Sequence, residues 1–181
     1  MTRGKLQGHR LFLALLPPPD VAARIGALRN AIGPRRHVTD ERLHMTMGLL
    51  DDMDALDERV VARAKAVLAT TEAAPVQICL DRISSSPRTS CLVPSERPPA
   101  LMALQARLAR SFAGAGLPFS SHFSFSPHVT LLYQPPKQIN EPLFGGISWR
   151  ADQLALVHSL LWLSQHIVLQ RVDLTGTDPT V

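Results

Sequence analysis

Cysteine, aromatic residues and long apolar runs are what this sequence has least of. Two cysteines among 181 residues, Cys79 and Cys91, exclude a disulfide scaffold and suit a reducing cytoplasm. Both are expected as buried thiols. No apolar stretch approaches the roughly 20 residues that cross a bilayer. The run from Leu11 to Leu16 is too short even for a signal-peptide core, and Pro17-Pro18-Pro19 ends it. It reads as a buried strand. No linker or low-complexity segment interrupts the chain, and only the first few residues and the tail after Leu174 read as disordered. A cytoplasmic monomer with no membrane contact and no obligate protein partner is expected.

What remains is an ordinary globular balance of 45% hydrophobic and 19% charged residues. A chain of this length buries about 70% of its unfolded surface without staples. It is expected as one domain over residues 1–181, built of two intimately packed lobes. The net charge of +4 favours polyanions such as nucleic acid, with no long basic run of the kind that coats duplexes.

Periodicity predicts strands over 9–16 and 42–50, a helix over 20–32 that Asp20 caps and Gly33-Pro34 ends, and an Ala-rich helix over 54–70. Asp51 to Asp54 would supply the turn and cap before that second helix. A hairpin follows over 75–83 and 89–94, then a helix over 99–114 opened by Pro98-Pro99. Strands over 127–133, 152–162 and 166–174 close the chain. Helices separated by hairpins give an α+β fold with antiparallel sheets rather than a doubly wound parallel one.

One internal echo carries chemistry. Residues 43–50 read LHMTMGLL and residues 127–132 read PHVTLL. Side chains alternate along a strand, so His44 and Thr46 share one face while Met45 and Met47 enter the core. His128 and Thr130 likewise share a face, with Val129 and Leu131 behind them. A lone histidine in a strand is usually structural, and a single HxT triplet means little. Two in matching apolar contexts, among seven histidines, point to a shared groove that both imidazoles face free of core contacts.

Phosphodiester cleavage needs this set. A base must take a proton from the attacking water, and an acid must protonate the leaving oxygen. Imidazole, with a pKa of about 6.5, serves either role at neutral pH. Threonine hydroxyls donate to the non-bridging oxygens without adding a titrating group. Two histidines can also ligate zinc, but no HExxH, no CxxC and no carboxylate beside either histidine supplies a third ligand. No GxSxG offers a serine nucleophile. Neither metal nor cofactor is expected.

With these residues the chain resembles the 2H phosphoesterase superfamily, named for its two HxT motifs, and within it the LigT-like RNA 2′,3′-cyclic phosphodiesterases formerly called 2′-5′ RNA ligases. RLFLALLPPPDVAARI at 10–25, ERLHMTMGLLDD at 41–52 and FSFSPHVTLLY at 123–133 carry the likeness. The resemblance implies a bilobal, pseudo-symmetric α+β fold whose two antiparallel sheets flank a central groove, with helices outside. It implies that His44 and His128 are catalytic and that Thr46 and Thr130 bind the substrate phosphate. His128 would activate water and His44 would protonate the departing 3′-oxygen. The product would be a 2′-phosphomonoester made without metal, with weak 2′-5′ RNA ligation beside it. Partners would be RNA ends or cyclic nucleotides. Alternatives are a related phosphodiesterase acting on another cyclic nucleotide or an ADP-ribose cyclic phosphate, and a non-catalytic nucleotide-binding module.

The chain departs from the family in one place. Many relatives carry an arginine after the second motif that contacts phosphate, and here Tyr133 stands there. Tyr133, Lys137, Arg36 and Arg88 are candidates for that contact. His37, His122, His158 and His166 match no catalytic position and are expected as surface or structural residues. Phe123 and Phe125 are expected in the core rather than stacked on a base.

Overall fold

Proline decides where the first strand stops. In the computed structural model, which describes residues 8–33 and 37–176, β1 runs His9–Leu15 and the three prolines follow at once. Pro19 takes the first position of helix α1 (Pro19–Ile32), where its fixed φ suits the helix and its missing N–H costs nothing. The cap is Pro18, with no side-chain hydrogen bond; Asp20, expected as the cap, lies inside the first turn. A single 3₁₀ turn, Asp40–Arg42, precedes β2 (Met45–Leu49). Helix α2 spans Glu58–Ala69 and starts later than expected. Its cap is Asp57, whose carboxylate accepts from the Arg59 N–H at 2.8 Å.

The hairpin β3 (Val76–Ser85) and β4 (Thr89–Val93) and helix α3 (Pro99–Gly114) form where the sequence places them. After β5 (Val129–Tyr133) comes an unexpected strand, β6 (Asn140–Ala151), which pairs along β3. Pro142 and Gly145-Gly146 make it read as loop, and they occupy the stretch where the β3–β6 register shifts between Leu80 and Arg82. β7 (Gln153–Leu160) and β8 (Gln165–Asp173) complete the chain. The first few residues and 177–181, read as disordered, lie outside the described residues, whereas Gly176, also in the tail after Leu174, donates its N–H to the Ala73 carbonyl at 2.9 Å against that reading.

The result is α+β, as expected. Among the described residues two four-stranded antiparallel sheets form, ordered β2-β1-β7-β8 and β5-β4-β3-β6. Helix α2 packs on β7 and β8, α1 on β5 and β6, and α3 bridges from β2 to β3. Leu13, Met47 and Leu156 of the first sheet and Ile78, Leu92 and Leu131 of the second join Leu68 and Phe112 in one apolar core.

Two of the four edge strands, β2 and β5, are tied reciprocally. The Val38 N–H, on the approach to β2, donates to the Leu131 carbonyl of β5 at 3.0 Å. The Ser120 N–H, on the approach to β5, donates to the Leu49 carbonyl of β2 at 2.7 Å. Each approach therefore closes part of the other sheet's open edge before its own strand begins.

Candidate active site

Both HxT motifs take the same local shape. His44 and His128 stand one residue ahead of β2 and β5, not inside strands as expected. Met45, Met47, Val129 and Leu131 behind them are fully buried, as the alternation predicts. Directly after each threonine the register shifts. Thr46 lies opposite Ala14 but Gly48 lies opposite Leu13, so Met47 is the extra residue. Thr130 lies opposite Cys91 but Leu132 lies opposite Ser90, so Leu131 is the extra residue. Each bulge returns the third residue after threonine to the face that carries histidine and threonine. Those residues are Leu49 and Tyr133.

Cross-strand pairing extends this face over the first sheet. Thr46, Ala14, Ala155 and Arg171 form one row, and Leu49, Phe12, Val157 and Val168 the next. Arg10, Ser159 and His166 form a third. Phe12, Ala14, Ala155 and Val157 make a small buried cluster of their own, separate from the main core. They are the apolar floor beneath the polar residues. On the second sheet Thr130, Tyr133, Cys91 and Thr89 share the corresponding face, and the Cys91 thiol approaches the Thr130 hydroxyl at 3.8 Å. The two faces lie close enough for the charge of His128 to act on His44 and for Tyr133 to act on Arg10.

The tautomers follow from the backbone. His44 Nδ1 lies 2.7 Å from the Arg42 carbonyl, and His128 Nδ1 lies 2.7 Å from the Ser126 carbonyl. A carbonyl only accepts, so each Nδ1 must carry the proton, and each neutral ring keeps Nε2 as a free acceptor. Both imidazoles are thereby oriented and ready to exchange a proton.

They differ in surroundings. The His44 ring packs on Phe12, with centroids 4.9 Å apart, and against His166 at 5.1 Å. This corrects the expectation of no core contacts. Burial pushes the His44 pKa down; its bond to the Arg42 carbonyl opposes that, and the charges of His128 and Arg42 add to it. His166, expected to be uninvolved, is pushed down to about 4 by burial and by the neighbouring His44 and Arg42 charges.

Tyr133 is exposed on the face that carries Thr130, within electrostatic reach of Arg10. Sequence reading missed Arg10, whose guanidinium holds Asp52 through two bonds of 2.6 and 2.7 Å. Its signal was its odd position: alternation from the buried Leu11, Leu13 and Leu15 puts it on the other face. Of the remaining candidates, Arg88 sits at the β3–β4 turn, where its carbonyl accepts from Gln134 N–H at 2.8 Å, next to Tyr133. Lys137 is exposed between β5 and β6, and Arg36 lies outside the described residues.

Phe125 lies against the core, as expected, while Phe123 is half-buried and packs edge-on against Phe119. His158 pairs with His9 and His37 bonds the Gly33 carbonyl, both structural, while His122 is exposed. Cys91 is half-buried and Cys79 exposed, so the expectation of two buried thiols fails: Cys79 alternates out of β3. Among the described residues no three His, Cys, Asp or Glu side chains are placed to share a metal ion, and no helix is long and apolar enough to cross a membrane.

The model of the 2′-5′ RNA ligase superfamily matches residues 17–161. No curated protein matches the chain. Solved structures do. E. coli LigT complexed with 3′-AMP superposes with a TM-score of 0.79 at 22% identity, over 93% of this chain and 99% of that one. A crystal structure described as a phosphoesterase gives 0.78 at 23% identity, over 93% and 99%. The protein TT0787 of Thermus thermophilus gives 0.76 at 22%, over 93% and 100%. At these identities the likeness is one of fold.

Proposed function

The chain belongs to the 2′-5′ RNA ligase superfamily, and we propose that it hydrolyses the 2′,3′-cyclic phosphate at an RNA end to a 2′-phosphomonoester, with no metal. The observation that supports this reading is the matched pair of Nδ1–carbonyl bonds, at 2.7 Å each, which leaves Nε2 free on each of the two HxT motifs. In-line displacement uses two such nitrogens, one for the entering water and one for the leaving oxygen.

The step balances with these groups alone. His128 takes a proton from water as its oxygen bonds to phosphorus; the bond from phosphorus to the 3′-oxygen breaks, and His44 protonates that oxygen. Thr46 and Thr130 donate to the non-bridging oxygens, where negative charge gathers. Tyr133, with Arg10 beside it, contacts the phosphate from the end of β5. Burial keeps His44 neutral in the free protein. An anionic phosphodiester supplies the charge that favours the imidazolium, so proton uptake by His44 accompanies binding. The 3′-AMP bound by LigT supports a nucleotide as ligand in this fold.

The test is incubation with 2′,3′-cyclic nucleotides and with a cyclic-phosphate-ended oligonucleotide, in excess EDTA, followed by identification of the product isomer. The expected product is the 2′-phosphate. A 3′-phosphate, or activity that vanishes with chelator and returns with zinc or manganese, overturns the mechanism.

A further inference from the structure

His44 does not stand alone on its half of the groove. Its ring, that of Phe12 and that of His166 are in mutual contact, with centroids 4.9, 5.1 and 5.2 Å apart. Phe12 comes from β1, His166 from β8, and His44 from the approach to β2, so elements spanning the whole first sheet converge on one imidazole. His166 reaches it because the β7–β8 register shifts between Leu156 and Val157, which places His166 opposite Ser159 on the groove face.

We propose that His166 is a positioning residue for His44: its ring and that of Phe12 wall the His44 imidazole and block its rotation about the Nδ1–carbonyl bond axis, so that Nε2 stays aimed at the reacting phosphate. The proposal rests on the function given above for the role of His44, but not for the contact itself. Two bonds of a side chain hold an imidazole loosely; a carbonyl fixes one nitrogen, and only packing fixes the ring plane. Misplacement by about 1 Å at such a group costs up to about 10²-fold in rate.

The choice of histidine also has an electrostatic side. The charged groups that face the pair are Arg42, beside both rings, and His128 across the groove. Arg10 lies two strands away in the His166 row and is held by Asp52. Phe12 and Ser159 carry no charge. With Arg42 and an imidazolium at His44 close by, His166 stays neutral at working pH, so it shields His44 from water without competing for the substrate's charge. Its contribution to His44 is desolvation.

Two variants separate packing from chemistry. His166→Ala removes the wall and His166→Phe keeps it without nitrogens. The His44 ring is followed by NMR titration in the substrate-free protein, identified by the signal lost in His44→Ala, and turnover of a 2′,3′-cyclic nucleotide is measured alongside. In His166→Ala water reaches His44, so its midpoint should rise toward the ordinary histidine value, while kcat falls about tenfold and KM changes within about twofold. In His166→Phe the His44 midpoint should stay low and kcat should fall by no more than about threefold. Thermal melts establish that both variants are folded. An unmoved His44 midpoint in His166→Ala overturns the proposal. So does a kcat in His166→Phe as low as in His166→Ala, which would mean that a His166 nitrogen touches substrate. The NMR arm needs no substrate, so it decides the positioning role even if cyclic phosphates are not turned over.

Discussion

His44 and His128 share one tautomer, each Nδ1 donating over 2.7 Å to the carbonyl two residues earlier, yet only His44 has its ring walled by Phe12 and His166. The same nitrogen is free on both, and the surroundings differ. His44→Ala and His128→Ala should each lower turnover of a cyclic phosphate by about 10² or more. A diester whose leaving group is a nitrophenolate departs without a proton. On it His44→Ala should recover substantially, and His128→Ala should not. Recovery of His128→Ala alone would exchange the two roles.

Acid should destabilise the fold through these imidazoles. His166 takes its proton at about 4 in the folded protein, against 6.5 for the ordinary side chain, and burial lowers His44 as well. The folded pKa lies below the unfolded one, so the unfolded chain binds more protons between the two values. Stability is therefore full above about pH 6.5 and declines as pH falls toward about 4. Melting temperatures taken across that range should drop, and His166→Phe should flatten the decline relative to wild type. An equally steep decline in that variant would assign the acid lability elsewhere.

Salt separates the groove from any longer RNA track. A mononucleotide presents one phosphate, so its affinity should depend weakly on ionic strength. An oligonucleotide that also meets basic residues outside the groove should show a steeper slope in a plot of log affinity against log salt. Identical slopes would confine recognition to the terminal nucleotide.

Gly48 tests packing rather than chemistry. A Cβ at this position would clash with the Cζ end of the Phe119 ring, which itself packs on Phe112 with centroids 5.6 Å apart. Gly48→Ala should cost about 1–3 kcal/mol in denaturant unfolding. Combining it with Phe119→Ala should cost less than the two separate losses added, because the second change removes the clash made by the first.

The HxT pair, the apolar β1 and the helix 99–114 are legible in the sequence because each is a local pattern: alternation, an unbroken apolar run, or a 3.6-residue stripe opened by proline. Strand β6 is not, because Pro142 and Gly145-Gly146 erase its alternation while a bulge absorbs them. Tyr133 shows the limit of strict alternation. Counting by twos from Thr130 puts Leu132 on the groove face and Tyr133 in the core; the bulge at Leu131 reverses both. His166 is illegible for a third reason. Nothing near it in sequence hints at His44, which it meets only through the pairing of β7 with β8 and of β1 with β2.

An open strand edge is a template for a second molecule, and β2 and β5 are apolar strands at sheet margins. The reciprocal Val38–Leu131 and Ser120–Leu49 bonds occupy part of both margins with the chain's own backbone. Because each margin is sealed by the segment that leads into the other motif, neither is protected until both halves have come together. A nascent or truncated chain that has made only one of them exposes a sticky border, and the closure that brings the two motifs together also covers part of the margin each would otherwise offer to a second molecule.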